Sequence, residues 1–332
     1  MSFFAILVAL LLEQVRPLSQ DNGVHGAMRN WTRWCRVNFD AGKPHHGWVV
    51  WSLAVGVPTL VTLGLHLLLL FGLGWPFTIL WSVAILYVTL GFRQFSHHFT
   101  GIRDALDSGD EALARERLAQ WQRVDAGDLP RSEIVRHVIE YSMLAAHRHV
   151  FGVLFWFSVL AAAGLGPTGA VFYRMSEFMS RYGAPRRKSA VAQPVSEALQ
   201  RAALRNWSWI DWLPARITAL GFAVVGSFED AIDGWRNYAQ RFPNDNDGVI
   251  LAATAGAVNV RLGGRELQPA FLPDSSQTFQ TAAASAAGAA ASTTPGREPE
   301  TAHLAQVVGL VWRSVVMWMV LLALLTLARL LG

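Results

Sequence analysis

Apolar runs recur along the whole chain, and their lengths sort them. The run 48–73 has His66 as its one ionisable residue, and a bilayer crossing needs about 20 apolar residues, so a transmembrane helix is expected. Gly72-Leu73-Gly74-Trp75-Pro76 is a turn signal. The run 77–92 then returns, making 48–92 a transmembrane hairpin closed by Arg93. A final run, 305–331, is long enough to span, with Arg313 near its start and Arg329 near its end. The stretch 3–12 is too short to span and reads as a membrane-dipping helix ended by Glu13 and Arg16-Pro17. It has neither a basic leader nor an A-x-A-like cleavage site, so it is not read as a signal peptide.

Between these runs the pattern changes. Residues 1–47 comprise the short helix and a polar juxtamembrane segment carrying Arg29, Arg33, Arg36 and Lys43. Residues 93–149 form a helical excursion toward the cytoplasm, with a short helix over 111–124 and another beginning near Ser132, the expected N-cap. The apolar stretch 150–175 is interrupted by Gly164-Leu165-Gly166-Pro167-Thr168-Gly169. It reads as a re-entrant hairpin or a single kinked span, and the re-entrant form keeps the basic segment 181–206 on the cytoplasmic side. A weaker run, 210–225, carries Asp211, Pro214 and Arg216, and 249–260 is a small-residue helix. Residues 265–304 show no period, and the Ala- and Ser-rich part reads as a flexible linker before the C-terminal transmembrane helix over 305–332. The expected fold is all-α, a polytopic integral membrane protein with helical soluble excursions. Its expected location is the bacterial cytoplasmic (inner) membrane, crossed more than once.

Composition sharpens this picture. Charged residues are 16% of the 332, against about 25% in soluble domains. The 14 tryptophans include Trp48, Trp51, Trp75, Trp209, Trp212 and Trp312 at the ends of apolar runs, where indoles anchor at the interface. The net charge of +4 comes from arginines flanking these runs, with no interleaving of Arg and aromatic side chains, so nucleic acid is not an expected partner and the lipid bilayer is. The single cysteine, Cys35, excludes an internal disulfide and any cysteine-based metal cluster within one chain. His45-His46, His97-His98 and His147/His149 lack the i, i+4 spacing that puts two ligands on one helix face, so no metal site is assigned. His66 and the Asp211/Arg216 pair, ionisable groups inside apolar runs, are functional candidates. Asp245-Asn246-Asp247-Gly248 reads as a turn and helix cap rather than a calcium loop, because the downstream residues are apolar. No phosphate loop, dinucleotide fingerprint or nucleophile elbow is present, and no internal repeat supports a transporter.

Several segments together resemble the CobD/CbiB family of membrane proteins: GPTGAVFYR (166–174), DWLPARITAL (211–220) and NDGVILAATAGAVNVRLGG (246–264), with DALDSGDEALARERL and LFW before them. The resemblance runs over about 93–264. It implies an adenosylcobinamide-phosphate synthase, which joins an aminopropanol unit to cobyric acid as an amide with use of ATP. ATP and Mg would then be cofactors, and a corrinoid the substrate. Residue by residue, it implies roles for Glu140 and Asp211 as metal or base candidates. Tyr173, Arg174, Arg216, Asn246 and Arg261 become substrate-binding candidates, because arginine holds phosphate and carboxylate bidentately. The short N-terminal helix and the segment at 211–216 also look like AmpE, a related branch associated with β-lactamase induction and regarded as a sensor or transducer. The chain departs from the family pattern where Leu144, Ala145 and Arg148 replace Glu, Asn and Asp. Glu177 and Ser180 fall at an Asn and an Asp, and Trp207 and Ser208 at a pair of Asp. Two alternatives stand: a synthase with a reduced acidic set, or a non-enzymatic AmpE-like scaffold.

Overall fold

The computed structural model describes residues 2–15, 23–122, 125–127, 129–182, 195–264 and 293–331. Helices account for nearly all of this, and isolated bridges are the only strand-like pairing among the described residues. In chain order the helices are α1 Ser2–Val15, α2 Gly23–Phe39, α3 Pro44–Gly72, α4 Trp75–Thr89, α5 Phe92–Asp107, α6 Glu111–Gln122, α7 Arg131–Ala146, α8 Gly152–Ala162, α9 Thr168–Tyr182, α10 Glu197–Ile210, α11 Trp212–Val225, α12 Phe228–Tyr238, α13 Asp245–Val258 and α14 Thr301–Leu331. A π-helical turn, His147–Phe151, joins α7 to α8.

Three helices among the described residues are long and apolar enough to cross a membrane: His45–Gly72, the continuous Arg131–Ala162, and Thr301–Ala328. With so many apolar side chains left facing outward, the chain is an all-α membrane protein. Trp48, Trp75, Trp209, Trp212 and Trp312 are all exposed, as interface anchors are. The return limb expected over 77–92 is the 15-residue α4, about 22 Å long and short of the roughly 30 Å hydrocarbon core. Pro76 fits the first turn of α4, where a missing N–H leaves no bond unmade.

The chain divides into two compact units, and the division after His147 falls inside the π-helical turn. The first unit holds 1–94, 148–214 and 319–332. Here α3 packs on α9 and α10, α8 on α9, and α1 on α4. Cys35, Val50, Ala54, Val55, Met175, Met179, Leu199 and Ala203 form a buried apolar cluster. Ser196 is the N-cap of α10: its hydroxyl accepts from the Leu199 N–H at 3.1 Å and donates to Asp40 at 2.7 Å. This fastens the end of α2 to the start of α10.

The second unit holds 95–147 and 215–318. Its centre is α13, buried on nearly every side by Ala, Gly and β-branched residues. The pairing of α12 with α13 rests on small residues: a Cβ at Gly234 would strike the Ala252 carbonyl, and one at Gly256 the Asp230 carbonyl. The sequence reading placed 265–304 in a linker. Up to residue 292 that stretch lies outside the described residues, as do Arg186, Arg187 and Lys188. Residues 293–297, however, pair with 259–263: Arg261 N–H donates to Arg297 O at 2.8 Å and Thr294 N–H to Leu262 O at 2.8 Å.

The expected N-cap Ser132 lies inside α7; Pro130, extended at ψ 159°, is the capping residue, because proline's missing N–H and fixed φ suit a helix start. Replacing Ser196 by Ala removes both the cap and the link to Asp40. The expected result is a loss of about 1–2 kcal/mol, read as a lowered thermal unfolding midpoint of the detergent-solubilised protein.

Candidate functional site

The residues singled out by sequence fall into two groups, one in each unit. In the first unit, Tyr173 is fully buried on α9, and its hydroxyl donates to Asp211 Oδ1 at 2.8 Å. Asp211 ends α10 and is itself fully buried. Burial, and after it the Asp211 carboxylate, push the Tyr173 hydroxyl well above its usual range, so it stays a donor. Trp207 lies beside the Tyr173 ring, centroids 5.1 Å apart. Trp156 of α8 donates to Ile210 O at 3.1 Å, one residue before Asp211. A Cβ at Gly152 would run into the Tyr173 phenol, so glycine there is what admits the ring.

One turn further along α9 lies a charged cluster of which the sequence reading assigned a role to Arg174 alone. Glu177 is 1% exposed and pairs with Arg174 at 3.1 Å and with Arg181. Burial alone would raise its carboxyl, but Arg181 and Arg174, with His149 and Arg148, overcome burial and hold it at about 2. The signal was present in the sequence as Arg174-x-x-Glu177-x-x-x-Arg181, spacing that puts all three on one helix face. Arg148 stands where the resemblance places an Asp and Glu177 where it places an Asn. The two departures thus act on each other.

In the second unit, Glu140 on α7 is met by Arg136 at both oxygens, 3.0 and 3.1 Å, and accepts the Gly263 N–H at 2.7 Å. Arg136 also donates to Glu133 at 2.6 Å. The Glu133, Arg136, Glu140 spacing is again one helix face, and sequence reasoning singled out only Glu140 of the three. Glu140 therefore ties α7 to the turn Arg261–Gly264. Arg216 of α11 donates to Asn246 Oδ1 at 3.2 Å, joining α11 to the first turn of α13. Asn246 is buried, Arg216 half-buried and the Arg261 side chain exposed. Asp211 accepts from Tyr173 and Arg216 donates to Asn246.

Among the described residues, His46, His66 and His149 each bury an Nδ1 that meets no hydrogen-bond partner. His66 is buried in α3 with its ring against Gly166. His147 bonds Thr218 at 2.9 Å, His98 stacks on Trp121, and the side chain of His97 lies outside the described ones. Among the described residues no three His, Cys, Asp or Glu side chains are grouped to hold a metal ion.

The family model described as CobD/Cbib protein matches residues 5–292. The chain belongs to the CobD/CbiB family. Similar curated proteins include "Cobalamin biosynthesis protein CobD" of Stutzerimonas stutzeri (strain A1501), 30% identical over 281 residues, covering 85% of this chain and 82% of that protein. The same description is carried by a Chromobacterium violaceum protein, 34% identical over 55% of each chain. It is carried also by one from Mycobacterium tuberculosis (strain H37Rv), 30% identical over 68% of this chain and 67% of that one. No solved structure matches.

Two predictions follow from the geometry. Gly152→Ala forces Tyr173 aside and weakens its bond to Asp211, with an expected loss of about 1–3 kcal/mol in thermal unfolding; an unchanged midpoint would contradict the close approach. Glu177 has a folded pKa below its ordinary 4.5, so its stabilisation is present above that pH and lost as pH falls toward about 2. Across that window the wild-type midpoint should fall more steeply than that of Glu177→Gln.

Proposed function

We propose that this chain acts in cobalamin biosynthesis as an adenosylcobinamide-phosphate synthase of the CobD/CbiB kind, in the bacterial cytoplasmic membrane. In this reading it joins the amine of an aminopropanol unit to a carboxylate of cobyric acid, with consumption of ATP. The observation that supports it best is the second unit's tie between distant motif segments. Glu140 holds Gly263 at 2.7 Å and Arg216 holds Asn246 at 3.2 Å, so the positions matched to the family are bonded to one another.

The proposed roles follow from exposure and bonding. Arg216 and Arg261, half-buried and exposed, contact the anionic groups of substrate and nucleotide, because a guanidinium presents a fork that matches such oxygens. Asn246 orients Arg216. Glu140 spends its oxygens on Arg136 and the Gly263 amide, which makes it a positioning residue for the Arg261–Gly264 turn. Asp211, fully buried against Tyr173, has the corresponding role in the first unit. With no three-ligand group among the described residues, no step is routed through a protein-held metal. Mg entering with the nucleotide phosphates would need only one or two carboxylates.

The test is complementation of a strain lacking the synthase, supplied with cobyric acid and scored for cobalamin-dependent growth. Wild type should restore growth, and Arg216→Ala and Arg261→Ala should abolish it. Glu140→Gln, which can still accept from the Gly263 amide, should retain more function than Glu140→Ala. Absence of growth with the wild-type protein present in the membrane would overturn the synthase reading and leave a scaffold that has lost the chemistry.

A further inference from the structure

A cavity of about 280 Å³ lies within the first unit, bounded by α2, α3, α4 and α9. Its walls are mostly apolar: Met28, Pro58, Ile85, Val88, Val171 and Met175. The volume is near the lower end of the roughly 300–1,000 Å³ typical of small-molecule pockets, enough for one alkyl chain and not for a corrinoid. One wall is α3, a helix long and apolar enough to cross a bilayer, so hydrocarbon is the medium beside it.

The polar groups on the cavity have one character. Thr62 and Thr89 donate to carbonyls of their own helices, Pro58 O and Ile85 O, each at 2.8 Å. The Trp31 indole N–H is buried and meets no acceptor among the described residues. Arg174 and His25 are the ionisable residues on the lining. His25 is held toward its neutral form by burial and then by Arg174 and Arg29. Behind Arg174, Glu177 pairs with it and with Arg181. The cavity thus offers a guanidinium and an indole N–H to a ligand, and no carboxylate lines it.

The helix over the cavity points to the same ligand. α2 carries Arg29, Arg33 and Arg36 and no acidic residue, and Trp34, Val37 and Phe39 stand exposed on it. A basic amphipathic helix with exposed aromatic residues lies in the plane of anionic head groups.

We infer that this cavity is a binding site for one acyl chain of an anionic phospholipid, with the head-group phosphate held by Arg174 and the Trp31 N–H. Here Arg174 holds lipid rather than the substrate that the resemblance implies for it, and lipid retention is read without any measure of synthase activity.

The test is native mass spectrometry of the full chain, purified in detergent and offered phosphatidylglycerol, phosphatidylcholine or inorganic phosphate. Wild type should retain one phosphatidylglycerol in preference to phosphatidylcholine by roughly fivefold or more, the worth of a charged contact at a membrane surface. Arg174→Gln should lose that preference and Arg174→Lys keep it. Ala27 is exposed on α2 and lines the cavity, so Ala27→Phe should fill the space without disturbing the fold and lose both lipids. Three results would each overturn the inference: equal retention of the two lipids by wild type, displacement of lipid by inorganic phosphate, which would mark a soluble-anion site, or undiminished lipid on Ala27→Phe.

Discussion

An ionised or hydroxyl-bearing side chain inside packed apolar helices must find a partner, since leaving it alone costs several times what a matched bond contributes. Much of this protein follows from that requirement. Tyr173 is matched to Asp211, Glu177 to Arg174 and Arg181, Glu140 to Arg136 and Gly263, and Arg216 to Asn246. Each match joins a helix to another turn or segment, apart from the Glu177 cluster, which gathers charge along α9. The apolar contacts around them are built from small residues, as in α12 against α13, and set distance rather than direction. The polar pairs set register.

The same requirement reconciles the chain's departures from its family's pattern with its membership in that family. Arg148, half-buried where the resemblance expects Asp, acts with Arg181, Arg174 and His149 to keep the Glu177 carboxyl on α9 ionised. Trp207, at a position where the resemblance expects Asp, packs instead on the Tyr173 ring. These substitutions rebuild the surroundings of Tyr173 and Arg174 with different polarity, while Arg216 and Asn246 match the resemblance and bond each other, and the Arg261–Gly264 turn matches it and is tied to Glu140.

The large outlines were legible in the sequence because hydrophobic length is a strong signal. The span at 48–73, the glycine break at 164–166 and the final helix after 300 all appear close to where the pattern put them. The family was legible too, through the spacing of three segments. Amphipathic helices were harder. α2, α10 and α12 lie in stretches that read as polar or basic, because their apolar faces are narrow and their charge dominates any running average. The partners of the candidate residues were not legible at all, since Tyr173 and Asp211 are 38 positions apart and Glu140 and Gly263 are 123 apart. Only folding brings them together.

The central claim is that this reduced acidic set still supports amide formation. The most direct measurement is made on the purified, membrane-reconstituted full chain, given cobyric acid, the aminopropanol phosphate and ATP, with the corrinoid product followed by mass spectrometry. The account predicts an ATP-dependent gain of one aminopropanol phosphate unit, with loss of water, on the corrinoid. A corrinoid left unchanged by folded protein would contradict it.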